Sequence, residues 1–121
     1  LSPKEQVAAV ITKLEELNAE AFGSLGRGTE SDVVTSVTLT LVEKQSGAVD
    51  ITPLLAFSKL KKLTLNGGPF WLDISPVKHL PLEELNCSAD IALKNAPVLK
   101  EMKSLKTING QSVAEFWQQK R

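Results

Sequence analysis

The chain has 121 residues, 42% of them hydrophobic, enough for one domain with a modest core and too many for a disordered segment. Its 14 Lys and Arg balance 14 Asp and Glu with the signs interspersed, which argues against a general electrostatic grip on nucleic acid or an anionic membrane. No apolar run approaches the ~18 residues that crossing a bilayer requires, and a single cysteine excludes an internal disulfide.

Leu1-Ser2-Pro3-Lys4-Glu5 is neither a signal peptide nor an initiator-methionine context, so the chain is expected to be a segment of a longer protein, with its compartment open. The same residues start a helix: Ser2 as N-cap, Pro3 in the first turn, and Glu5 three residues after the cap. Val7, Val10, Ile11, Leu14 and Leu17 come next at helical spacing and form one apolar stripe. This helix, within 1–22, matches no later segment and is expected to cover the open apolar end of the downstream strands. Residues 23–32 are turn-rich, with a short strand near Ser24–Arg27 as a hairpin partner for the next element. From Val34 to Leu41 the pattern alternates, with Val37, Leu39 and Leu41 on one side and Ser36, Thr38 and Thr40 on the other. That predicts a half-buried strand.

The next part of the chain is repetitive. Leu60-Lys61-Lys62-Leu63-Thr64-Leu65 fits L-x-x-L-x-L, and Leu82-Glu83-Glu84-Leu85-Asn86-Cys87 fits it with Cys at the last apolar place. Leu105-Lys106-Thr107-Ile108-Asn109-Gly110 is a weaker third copy, and the starts lie 22 and 23 residues apart, inside the leucine-rich-repeat period. Val34-Thr35-Ser36-Val37-Thr38-Leu39 fits with Val substituted, giving about four strands over 33–110. Between the strands, Asp50-Ile51-Thr52-Pro53-Leu54 recurs 23 residues on as Asp73-Ile74-Ser75-Pro76-Val77. Each is predicted to open a short helical or 3₁₀ piece with Pro early, where its missing N–H costs little. Asp90-Ile91 keeps only the first two letters. Asn95 to Met102 predicts a helix with Asn95 as N-cap, and Ser112-Val113-Ala114-Glu115 is a second capping box. The final helix, within 111–121, brings Phe116 and Trp117 as a plug for the far end.

These elements predict an α/β fold in a single domain, 1–121: a short leucine-rich-repeat solenoid with a parallel sheet between an N-terminal and a C-terminal cap helix. Val37, Leu39, Leu63, Leu65, Leu85, Cys87 and Ile108 should be buried. The intervening residues then face the concave surface: Ser36, Thr38 and Thr40; Lys62, Thr64 and Asn66; Glu84, Asn86 and Ser88; Thr107 and Asn109.

The C-terminal stretch from Met102 to Trp117, with Leu105-Lys106-Thr107-Ile108-Asn109-Gly110 and Glu115-Phe116-Trp117, resembles the segment that closes leucine-rich-repeat domains in planctomycete-type bacterial proteins. The middle stretch DISPVKHLPLEELNCS and the N-terminal Glu5-Gln6-Val7, Leu17-Asn18 and Phe22-Gly23 are similar to that family as well. The repeat itself is shared with internalin-like proteins. Departures from the pattern are the Gly67-Gly68-Pro69-Phe70-Trp71-Leu72 insertion and the missing Ser-Pro after Asp90-Ile91. The resemblance implies a non-catalytic module, often attached to a Ser/Thr protein kinase domain, and it carries over no catalytic residue.

His79 is the only histidine. Asp73, Ser75 and His79 lie close in sequence, but Asp50 and Thr52 repeat the first two with no histidine nearby, so the repeated turn accounts for them. Cys87 with His79 is too few ligands for zinc, and Gly23-x-x-Gly26-x-Gly28 lacks the spacing of a phosphate loop. No catalytic residue, metal site or cofactor is therefore expected. Phe70-Trp71 sits in a Gly-Gly-Pro loop and either anchors a partner or folds over the core. Lys59, Lys61, Lys62 and Lys78 form a small basic patch that Glu83 and Glu84 offset.

The leading expectation is a protein-interaction module whose candidate partner-binding residues are Phe70, Trp71, Lys62, Thr64, Glu84 and Asn86. The alternative is a purely structural capping or spacer domain with weak self-association. An enzyme is the least favoured reading, and neither nucleic acid nor membrane is expected as a partner.

Overall fold

A computed structural model describes residues 2–18, 22–42, 49–67 and 72–119. Its first helix, α1 (Pro3–Leu17), begins where the sequence predicts. Ser2 Oγ accepts from the Glu5 N–H at 3.2 Å, and Glu5 Oε1 accepts from the Ser2 N–H at 3.1 Å, a reciprocal capping box. Val7, Val10 and Leu14 are buried and Ile11 is half-buried, but Leu17 at the last turn is exposed. The helix ends at Leu17, before the predicted limit of 22, because Asn18 leaves helical geometry and Phe22 already belongs to a strand.

Among the described residues six strands form one open sheet in sequence order: β1 (Phe22–Glu30), β2 (Val33–Leu41), β3 (Lys62–Gly67), β4 (Glu84–Asn86), β5 (Thr107–Ile108) and β6 (Gln111–Ser112). The predicted parallel sheet holds for β2 through β5, but the sheet as a whole is mixed. β1 pairs antiparallel with β2, and β6 pairs antiparallel with β5. Both end strands are joined by two-residue turns in which both residues have positive φ: Ser31 and Asp32 (50° and 61°), then Asn109 and Gly110 (54° and 81°). Such turns match the right-handed twist of paired strands. The short strand expected near Ser24–Arg27 is thus a nine-residue strand. Residues 111 and 112, assigned from sequence to the last helix, belong to a hairpin.

Parallel pairing places equivalent repeat positions side by side. Val37, Leu63, Leu85 and Ile108 form one buried row, and Leu39 and Leu65 form a second. Cys87, expected in the core, is only half-buried because it lies one residue past the end of β4. The strand entries are stitched by a backbone ladder with the same period. Lys61 N donates to Thr35 O at 2.7 Å, Glu83 N to Lys61 O at 2.7 Å, and Lys106 N to Glu83 O at 2.8 Å.

A second layer covers the apolar face of the sheet. α1 packs on β1 and on the 3₁₀ helix Thr52–Ala56, which in turn packs on the 3₁₀ helix Ser75–Val77. Asp50 Oδ1 accepts from Thr52 N and Asp73 Oδ1 accepts from Ser75 N, each at 2.9 Å, so both repeated motifs open their 3₁₀ turns alike. After the third strand of the repeat the layer thickens into two short helices, α2 (Ala89–Lys94) and α3 (Ala96–Glu101). Ser88 caps α2 by accepting from Ile91 N at 3.2 Å. α4 (Val113–Gln119) closes the far end on β5 and β6, with Phe116 buried and Trp117 half-buried. The two rings meet edge to face, centroids 5.0 Å apart, and Lys100 Nζ lies 5.1 Å from the Trp117 ring centre.

Among the described residues two asparagines are the buried polar residues of this layer, and one of them occupies the N-cap position predicted for it while its side chain bonds elsewhere. Asn95 sits at the N-cap of α3 but makes no capping bond. Instead its Oδ1 accepts from Ile74 N at 2.9 Å, while its Nδ2 donates to Leu72 O at 2.7 Å and Ile91 O at 2.8 Å. Asn18 does the same work one unit earlier. Its Nδ2 donates to Leu14 O at 3.1 Å and Asp50 O at 2.8 Å, and its Oδ1 accepts from Asp50 N at 2.7 Å. Each asparagine thus ties the end of a helix to an Asp-Ile segment.

This packing sets the first expected outcome. Leu63→Ala or Leu85→Ala should lower stability by about 2–5 kcal/mol in urea denaturation, the range for buried leucine truncation. Asn95→Ala removes no large apolar group, yet it takes the side-chain partner from Ile74 N and Leu72 O, at about 1–3 kcal/mol each before relaxation, while Ile91 O keeps the Asn95 backbone N–H at 3.1 Å. Asn95→Ala should therefore rival Leu63→Ala. A near-neutral Asn95→Ala would show that water replaces the amide.

Candidate functional site

The face of the sheet opposite the buried leucines carries most of the predicted surface residues in register; Ser88 instead caps α2 and Asn109 lies in the turn after β5, both beyond the strand ends. Ser36, Lys62, Glu84 and Thr107 form one row, Thr38, Thr64 and Asn86 a second, and Thr40 and Asn66 a third. Four of the candidate residues make a compact block: Lys62 lies beside Glu84, and Thr64 beside Asn86. Lys62 Nζ is 3.7 Å from Glu84 Oε2, and Asn86 Nδ2 donates to Thr64 Oγ1 at 3.3 Å. The other two candidates, Phe70 and Trp71, lie outside the described residues.

β1 extends this face with almost no side chains. Gly26 lies opposite Thr38 and Gly28 opposite Ser36. A Cβ on Gly28 would run into Ser36 Oγ, so any other residue there would require the Ser36 hydroxyl to turn aside. The three glycines that superficially suggest a phosphate loop are therefore part of an extended strand. Beside Gly28 the surface dips into an open depression of about 460 Å³, bordered by Glu30, Ser36, Lys61, Lys62, Glu83 and Glu84.

Charges around this depression alternate in sign. Lys61 pairs with Glu30 at 3.9 Å, Lys62 with Glu84 at 3.7 Å, and Lys106 with Glu83 at 3.6 Å. All six side chains are largely exposed, so each pair contributes little to stability. Their effect is on the surface field: Lys62 is neutralised by Glu84 on the adjacent β4, and Lys61 by Glu30 at the end of β1, across β2. The offset is more distributed than predicted, since Glu83 serves Lys106 and Lys61 turns to Glu30.

The residues near His79 obey the turn geometry. Asp73 is occupied by the backbone N–H of Ser75, the main cause that holds its carboxyl below the usual range, with the Ser75 side chain adding to it. His79 is exposed just beyond that turn. Among the described residues no three of His, Cys, Asp and Glu gather as metal ligands, and no helix is long and apolar enough to cross a membrane. Burial pushes the Cys87 thiol up to about 11.

A second surface was missed from sequence. Between α1 and Thr52–Ala56 lies an apolar depression of about 360 Å³ lined by Ala9, Val10, Pro53, Leu55 and Ala56. Gln6 Nε2 bridges its rim to Ala56 O at 2.7 Å. The available signal is the Leu54-Leu55 pair: on a short 3₁₀ turn only one leucine points inward, and Leu55 is the exposed one.

No protein-family model, curated protein or solved structure matches the chain.

The state of Cys87 gives a direct check on this geometry. With its thiol at about 11, almost none is thiolate at neutral pH, and the thiolate is the reactive form. Cys87 should therefore react with a disulfide reagent much more slowly in the folded protein than in urea, and speed up as pH rises. Equal rates in both states would mean that the thiol is not shielded.

Proposed function

We propose that the chain is a short leucine-rich-repeat module without catalytic activity of its own, and that it presents the polar face of its sheet to a protein partner. The observation that carries the reading is the in-register block of Lys62, Thr64, Glu84 and Asn86 on neighbouring parallel strands. Parallel pairing of copies 22 residues apart, each followed or preceded by a short helical turn, supports the repeat assignment. The polar rows offer donors and acceptors at the inter-strand spacing of a sheet, which suits a partner surface better than a small apolar ligand. Neighbouring charges of opposite sign favour one docking register over others more than they raise affinity. The four block residues contain no aromatic or Arg anchor, so binding through this block alone should be weak.

The second reading is a capping or spacer domain that associates weakly with itself. The apolar depression between α1 and Thr52–Ala56 favours it, because exposed apolar surface is costly unless covered.

Site-specific photo-crosslinking separates the two. A crosslinker at Thr64 should trap a protein partner, and Thr38→Arg should abolish that product while leaving the melting temperature within a few degrees. A crosslinker at Leu55 should trap little under the first reading and a second copy of the chain under the second. If Thr64 yields only solvent-quenched protein in every native mixture, while Leu55 yields homodimer, the interaction reading fails and the spacer reading stands.

A further inference from the structure

The sequence holds two Asn-Gly dipeptides, Asn66-Gly67 and Asn109-Gly110. Glycine has no side chain to shield its N–H, so its nitrogen can reach the side-chain carbonyl carbon of a preceding asparagine. That nitrogen loses its proton and bonds to Cγ, the Cγ–Nδ2 bond breaks, and ammonia leaves behind a five-membered succinimide. Water then opens one ring carbonyl or the other, giving aspartate or isoaspartate with one new negative charge. No other reactant is needed. Ring closure requires rotation about the asparagine Cα–C bond, so the rate depends on how freely that residue opens from the fold.

The two sites differ sharply in that freedom. Asn109 is held three ways. It forms the first residue of the two-residue turn between β5 and β6, at φ 54°. Its N–H donates to Leu85 O at 2.9 Å, and its Oδ1 accepts from Cys87 N at 2.9 Å. Cyclisation there must break the turn and both bonds, and must pull Cγ away from the Cys87 amide. Asn66 is exposed and lies next to the end of β3, paired with Thr40 on one side. On the other side β4 ends at Asn86, opposite Thr64, so no described strand flanks Asn66 there. Only the last two pairs of β3, Asn66 with Thr40 and Gly67 with Leu41, have to fray.

We propose that Asn66 is a spontaneous deamidation site of the folded protein, and that Asn109 is a latent site opened only by unfolding. Neither half depends on what the polar face binds. Asn66 shares that face with Thr40, so conversion adds a carboxylate at its edge, and isoaspartate adds a methylene to the backbone where β3 ends.

The test is peptide mapping by mass spectrometry of the full chain aged at mildly alkaline pH, folded and in urea. In the folded chain Asn66 should convert at least about tenfold faster than Asn109, as a frayed strand end exceeds a locked turn in local opening. In urea the two should converge to within about threefold, since each is then an unrestrained Asn-Gly in a disordered chain. Asn66→Gln should abolish conversion in the folded chain and leave Asn109 converting in urea. Equal rates in the folded chain, faster conversion of Asn109, or a folded Asn66 as inert as Asn109 would each overturn the proposal.

Discussion

Parallel strands cannot be joined by a tight turn: the chain must leave the sheet, travel back along its length and re-enter beside where it started. That requirement governs nearly everything between β2 and β5. It explains why the apolar pattern recurs every 22 or 23 residues rather than every ten, and why each return segment carries its own turn and its own buried residues. The backbone ladder from Thr35 through Lys61 and Glu83 to Lys106 is the physical form of the constraint. Once those entries are in line, the leucine rows must fall on one face and the polar rows on the other. A slip of one residue would exchange them, exposing Leu63 and Leu65 while burying Lys62 and Thr64.

Returning segments bury backbone as well as side chains, and buried N–H and C=O groups need partners. Short 3₁₀ turns cannot satisfy all of their own groups. The Asp-Ile motifs solve part of this with the Asp carboxylates, which bond the first amides of each turn. Asn18 and Asn95 supply the rest, because a side-chain amide can donate and accept at once. An aspartate in either place would retain the acceptor and lose the donor. The cost of burying these amides is offset only while every bond is made, which links the geometry of α1 and α2 to that of the neighbouring Asp-Ile segments.

This division explains what the sequence makes legible. Periodicity is a statement about which side of the sheet a residue occupies, so the strands, their parallel order and the surface block of Lys62, Thr64, Glu84 and Asn86 are readable from leucine spacing. Capping chemistry is equally local, so Ser2 and Glu5 mark the start of α1 correctly. The end strands carry no such signature. β1 alternates glycine and serine on the polar face with few apolar residues on the other, which resembles a loop until β2 is beside it. Its turn uses Ser31 and Asp32, residues that adopt positive φ less readily than Asn-Gly. Asn109-Gly110 is the favoured pair for such a turn, yet the repeat template absorbs it as the tail of a third copy. Asn95 is placed correctly at a helix start, but its side-chain bonding is not legible, because a cap and a buried clamp need the same residue type and only the Ile74 and Leu72 backbone, some 21 to 23 residues away, tells them apart.

The antiparallel ends also settle how the sheet stops. A parallel array presents an unpaired edge at each side, and such edges invite further strands. At the far side β6 and α4 close over β5, with Phe116 buried beneath. At the near side β1 remains an edge strand of nine residues, and its pairing with β2 is irregular between Phe22 and Ser24 and again between Gly28 and Thr29. Irregularities of this kind twist a strand and interrupt the even row of donors and acceptors that another chain would need. Gly28 has a part on both sides of this arrangement. Its missing side chain lets β1 approach Ser36 and opens the depression beside Lys62 and Glu84. The same residue adjoins the shift in register that disturbs the edge. A larger residue there would turn the Ser36 hydroxyl aside and add bulk at the border of the depression, so the shape of the polar face beside Lys62 and Glu84 depends on this position.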